Sequence, residues 1–379
     1  MDNMKILKRA WTIVWNYRTL WIFGFILALT VGGATSGRIG SNSGYSYNSD
    51  QNIQRNFPTP DWANQPFRSP QAFMETLRSA GSSVTEAIKS QPEIGTLINF
   101  VVVFLILMVL IGIGIKMLGY VSETAVIRMV DKYESISQKM SFKEGFQFGW
   151  SRTSWRLFLI DLLIVSLPSL VFISILVLLI WGGVSLGINI ETNQGWVFSI
   201  IFMVGLGFLT VLLFSIYFVL VSLLRNFFVR ACALEQLDVR TALKNGAVLV
   251  RENWKDVGLF WLILIGLGIA WSIASILLLI LLIPFFVVSF ILGALVASLP
   301  GLLIFGVSSI FLSGYWPIVV GIVFGLPLFI PVAGSPILFF EGLVQLFKST
   351  SWTLVYRELK TLRTKFEPGE ETGQVVEAA

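Results

Sequence analysis

Apolar runs long enough to cross the roughly 30 Å hydrocarbon core of a bilayer recur along this chain, and they dictate its class. They cover residues 94–118, 155–181, 196–224, 257–283 and 316–347. A shorter run at 20–34 reads as joined end to end with the amphipathic segment before it. With 55% hydrophobic and 13% charged residues and a mean hydropathy of +0.79, the chain leaves the soluble class. The expected fold is an all-α polytopic membrane protein of about six transmembrane helices. They are arranged as three repeated helical hairpins, each preceded by an interfacial amphipathic helix.

The same composition closes several routes to chemistry. There is no histidine, so the usual proton shuttle at neutral pH and the commonest metal ligand are missing. With one cysteine, Cys232, no internal disulfide and no CxxC site can form. No cofactor, metal site or catalytic set is expected. The formal charge of +5 comes from basic residues that flank apolar runs, which points to membrane insertion and not to nucleic acid.

Residues 5–17 form an amphipathic helix, with Leu7, Trp11, Val14 and Trp15 on one face and Lys5, Lys8, Arg9 and Thr12 largely opposite. Such a helix lies at the headgroup level, its cations toward anionic lipid. The basic start followed by an apolar run imitates a signal peptide, but Arg18 interrupts it and retention as a first helix is expected. From 35 to 93 the composition turns to Ser, Asn, Gln, Gly and Pro. Its second half carries Phe73, Leu77, Ala80, Val84 and Ile88 at helical spacing, which reads as a surface-lying helix. The third crossing is expected to bend near Pro168, and the sixth to break at Pro327, Pro331 and Pro336.

Residues 285–314 carry no charge and hold Pro300 and Gly301 near their middle. They fit one more crossing, a re-entrant pair or a surface-lying pair of short helices. Basic residues gather at the N-terminus, in the second and fourth connections and after the last run. Cytoplasmic flanks collect Lys and Arg, so six crossings with both ends inside is the consistent arrangement, in a bacterial inner membrane.

The connections repeat. Lys8, Lys143 and Lys244 each open a segment leading into a crossing. Gly145 matches Gly246, and Trp15 matches Trp150. Thr124 to Arg128, Asn226 to Arg230 and Thr353 to Arg357 each set a small polar residue one helical turn before an arginine. The units run over 1–134, 135–238 and 239–365, with an acidic tail at 366–379. The stretches NFFVRACALEQLDVRTALKNG and STSWTLVYREL resemble uncharacterised bacterial multipass membrane proteins. Those proteins are similar to the membrane domain attached to some glycerophosphodiester phosphodiesterases. The resemblance implies architecture only, because the soluble catalytic domain of those enzymes has no counterpart here.

Charges inside apolar runs are the first place to look for function. Lys116 and Asp161 stand at matching depths and are expected to form an interhelical ion pair, structural in role. Arg128, Arg230 and Arg357 fit a ring of anionic-lipid contacts on the cytoplasmic side, or simply helix-end cations. Gly112, Gly114, Gly205 and Gly207 are expected at close helix contacts. The reading that follows is a non-enzymatic membrane scaffold or lipid-interacting protein with membrane lipids as partners. The alternative is a transporter or exporter of a hydrophobic or lipid-like substrate.

Overall fold

The computed structural model describes residues 2–31, 92–189 and 195–366. The surface-helix reading of the 35–93 segment and the acidic tail after Phe366 therefore fall outside the described residues. Everything regular within them is helix, and they contain no strand. The helices are α1 (Asn3–Asn16), α2 (Thr19–Val31), α3 (Pro92–Ile136), α4 (Phe142–Gly149) and α5 (Arg152–Asp161). After a π-turn at Leu162–Ser166 come α6 (Leu167–Asn189), α7 (Gly195–Glu235), α8 (Val239–Glu252) and α9 (Trp254–Leu281). The chain closes with α10 (Ile283–Ser308), α11 (Trp316–Ala333) and α12 (Ser335–Phe366).

Local chemistry explains the short helices. Asp2 caps α1 by accepting the Lys5 N–H at 3.1 Å. Ser141 and Glu144 form a reciprocal capping box at the start of α4. Each of α1, α4 and α8 ends on a residue outside helical geometry whose N–H still reaches back four positions. Tyr17 donates to Ile13 O at 2.9 Å, Trp150 to Phe146 O at 2.7 Å and Asn253 to Leu249 O at 3.3 Å. A long apolar helix starts within three residues each time, and between α1 and α2 the axis turns by 102°.

The expected bend near Pro168 has a defined form. Proline donates no N–H, so the carbonyl four residues earlier, Ile164 O, loses its helical partner. The backbone widens into the π-turn there, and the Tyr217 hydroxyl of α7 donates to Ile164 O at 3.0 Å.

Six described helices are long and apolar enough to cross a membrane: α3, the α5–α6 rod, α7, α9, α10 and α11. The number equals the expected one, but the membership differs. Residues 283–308 are one continuous helix, where the charge argument leaves 285–314 out of the crossings. The expected sixth run divides at Gly334 into α11 and α12. α10 and α11 lie antiparallel at very close range. A Cβ on Gly321 would stand 2.8 Å from Gly301 O, and one on Gly325 3.0 Å from Ala297 O. The break before α10 is the single residue Leu282, in helical geometry, which is too little backbone to reverse the chain.

The most apolar windows of these helices are almost bare: 0% of their residues are buried in α3 and in the α5–α6 rod, 6% in α7, α9 and α10, and 22% in α11. Hydrocarbon is as apolar as Leu, so apolar side chains gain little by leaving lipid for each other. The packed core gathers instead at one end of the bundle, termed the rim below. Ile13, Tyr17, Ile127, Leu157, Phe227, Phe260 and Leu359 are all fully buried there. The glycines expected at close contacts behave otherwise. A Cβ added to Gly112, Gly114, Gly205 or Gly207 would meet nothing of this chain within 4 Å. Besides the α10–α11 contact, a tight crossing lies between α2 and α12, where a Cβ on Gly24 would meet Gly342 O at 2.8 Å. In α1, Ile6, Ala10, Ile13 and Val14 are buried, whereas Trp11 and Trp15 stack at 5.8 Å on an exposed side.

Candidate functional site at the rim

Each short helix seats on an arginine-ended helix. In α4, Gly145 leaves no room for a Cβ against Met129 of α3. In α8, Gly246 would bring one to 2.6 Å from Phe228 of α7. α1 lies against α12, with Trp11 edge-on to Phe347 at 6.1 Å. The position matching the two glycines in α1 is Ala10, which is fully buried. Small residues at these positions let helix backbones approach closely.

The three arginines stitch α3, α7 and α12 together. Arg128 donates to Ala233 O at 3.0 Å on α7, to Phe148 O at 3.1 Å and to Thr153 Oγ1 at 2.8 Å. Arg357 donates to Asp131 O at 2.8 Å and to Ser135 Oγ at 3.0 Å on α3, and pairs with the Asp131 carboxylate. Arg230 donates to Asn226 O at 2.6 Å and to Ser349 O at 3.0 Å on α12. Around them Arg9 pairs with Glu134 at 3.0 Å and Lys360 with Glu235 at 3.0 Å. The Tyr356 hydroxyl donates to Glu235, and burial together with that carboxylate raises its pKa above the ordinary tyrosine range.

The expected pairing of Lys116 with Asp161 does not form. Asp161 instead accepts from Arg225 Nε at 2.6 Å and Nη2 at 2.9 Å. The same guanidinium holds Glu123 through both oxygens, at 3.1 and 3.0 Å. Lys116 is exposed, and no ion pair to it occurs among the described residues. It lies seven residues before Glu123 on α3, about 10 Å along a helix axis, too deep to reach a carboxylate at the rim. By its place in the sequence Arg225 is only a topology signal. A bidentate guanidinium between two carboxylates is the stronger geometry.

Arg230 stands apart from Arg128 and Arg357. It is 2% exposed, and no carboxylate lies within ion-pair distance of it among the described residues. Its Nε has no hydrogen-bond partner. Neither do Gln345 Nε2 and Ser349 Oγ, buried atoms one turn apart on α12, nor Thr350 Oγ1 and Ser351 Oγ beside them. Reasoning from the sequence misses Glu341, a carboxylate inside the last apolar run, one turn before Gln345 and two before Lys348. Burial lowers the Lys348 pKa below its ordinary value, and Glu341 works in the opposite direction. The same face of α12 continues into Trp352, which packs edge-on against Phe227 at 5.5 Å and Phe260 at 5.1 Å.

Cys232 is buried, its thiol 3.6 Å from Leu237 O. No group of three metal-ligating side chains occurs among the described residues. A family model described as a family of unknown function (DUF7544) matches residues 15–347. No curated protein matches the chain, and no solved structure does. Nothing in these comparisons links it to the phosphodiesterase-attached membrane domains.

Proposed function

The chain belongs to that family of unknown function, which carries no activity with it, and we propose that this protein is a non-enzymatic membrane scaffold that engages lipid. In this reading three helical units form a ring, each short helix seated on the arginine-ended helix of the preceding unit. The rim is cytoplasmic, as are both termini, in a bacterial inner membrane, and kinship with the phosphodiesterase-attached membrane domains belongs to the same proposal.

One observation carries the reading. The apolar helices leave nearly all of their most apolar residues facing outward, while the ion pairs and the packed core are concentrated at the rim. A bundle that moved a polar substrate would need polar groups facing each other at mid-span. The second reading, transport of a hydrophobic or lipid-like molecule, rests on Pro327 and Pro331 inside α11 and on Glu341 beyond its break.

A thiol test separates the two. In a Cys232→Ala background, single cysteines at Ile318, Ile322, Leu326 and Ile330 would be exposed in membranes to a charged, impermeant thiol reagent. The scaffold predicts no labelling at any of them, because these side chains face lipid. Labelling of a continuous face would overturn it in favour of transport.

A further inference from the structure

A buried polar atom without a partner costs free energy, so several at one place call for an explanation. Arg230 Nε, Gln345 Nε2 and Ser349 Oγ are three such atoms; the last two stand one turn apart on α12, and Arg230 reaches that stretch through its bond to Ser349 O at 3.0 Å. All three carry a hydrogen to donate. What the spot lacks is an acceptor. Glu123 is a carboxylate whose charge acts on Arg230, but both of its oxygens are held by Arg225. Arg128 shows the contrast, since its Nε donates to Ala233 O at 3.0 Å, and Arg357 has a carboxylate, that of Asp131, paired with its Nη1.

We propose that Arg230, Gln345 and Ser349, with Lys348 alongside, form a binding site for a phosphate-class anion, filled in the membrane by a phospholipid headgroup. The inference rests on the lipid-engaging reading and sharpens it, since it assigns phosphate recognition to one ring arginine and structural stitching to the other two. A guanidinium with flanking hydroxyl and amide donors suits phosphate oxygens. The acyl chains of the same lipid would run along the outward apolar surfaces of α7 and α9.

Replacing Arg230 risks unfolding the rim, so the test removes the two partnerless α12 donors. Wild type and the Gln345→Leu, Ser349→Ala double variant are purified gently and compared by native mass spectrometry. Phosphatidylglycerol, phosphatidylethanolamine and, as a phosphate-free control, diacylglycerol are offered. Two lost hydrogen bonds to a charged group should weaken phospholipid retention about tenfold or more, with no change for diacylglycerol. Equal phospholipid retention combined with a more heat-stable variant would overturn the site and leave those atoms as buried defects. Inorganic phosphate that stabilises delipidated wild type but not the variant, with lipid retention equal, would overturn the lipid source and keep the anion site. None of these results depends on thiol labelling of α11, so failure here and failure of the scaffold reading are distinguishable.

Discussion

Arg225 is the residue on which the rim most depends. Asp161 and Glu123 share it as their counter-charge, and all three side chains are at most 21% exposed. Removing one member leaves charge buried without its counter-charge, at a cost of about 3–5 kcal/mol. Arg225→Leu should lower the thermal midpoint in detergent strongly, whereas Lys116→Met should fall within about 0.5 kcal/mol of wild type. A large effect of Lys116→Met would restore the pairing that the structure replaces. Ser137 and Gln236, directly after α3 and α7, both adopt left-handed backbone with φ of 53° and 55°. That conformation costs an L-residue roughly 1–2 kcal/mol relative to the right-handed one. Ser137→Gly should therefore stabilise the fold by a fraction of that, read from the same melts, and a decrease would contradict the strain.

At the scale of elements, the helix crossings separate useful glycines from idle ones. Gly24→Leu drives a side chain into the Gly342 backbone and should cost about 1–3 kcal/mol or block folding. Gly112→Ala meets nothing and should be neutral or slightly stabilising through helix propensity. Parallel melts of the two variants test the assignment; equal losses would mean that α3 has a close partner at Gly112. The α6 bend makes a similar comparison. Tyr217→Phe removes the donor to Ile164 O and should cost about 1 kcal/mol, and the loss should vanish in a Pro168→Ala background, where the backbone N–H returns. Sequence alone locates that bend from Pro168 but says nothing of the tyrosine, which is 53 residues away and belongs to another helix.

For the whole molecule, the contact of α1 with α12 sets an orientation that does not depend on counting crossings. Trp11 meets Phe347, and Arg9 of α1 pairs with Glu134 at the end of α3. Both terminal helices therefore lie at the same end of the bundle. Reporter fusions at the two ends should give the same sign, and with the rim cytoplasmic both green-fluorescent fusions should be bright and both alkaline-phosphatase fusions inactive. Opposite signs at the two ends would break the ring.

The amino-acid sequence by itself determined the class, since apolar runs of that length demand helices and their basic flanks mark one end. It also located the short amphipathic helices and the arginines that end α3, α7 and α12, because periodicity and charge are local properties of the chain. Only the tertiary structure decided which groups meet. Asp161 takes Arg225 over Lys116, Gly24 and Gly342 touch where Gly112 and Gly205 do not, and Arg230 is buried with an unmatched Nε where Arg128 places its Nε on Ala233 O and Arg357 meets the Asp131 carboxylate. The reason is physical: a lipid-facing helix has no hydrophobic force selecting its neighbour. Pairing is left to a few close backbone contacts and charged hydrogen bonds at the rim, and these join residues up to 226 positions apart.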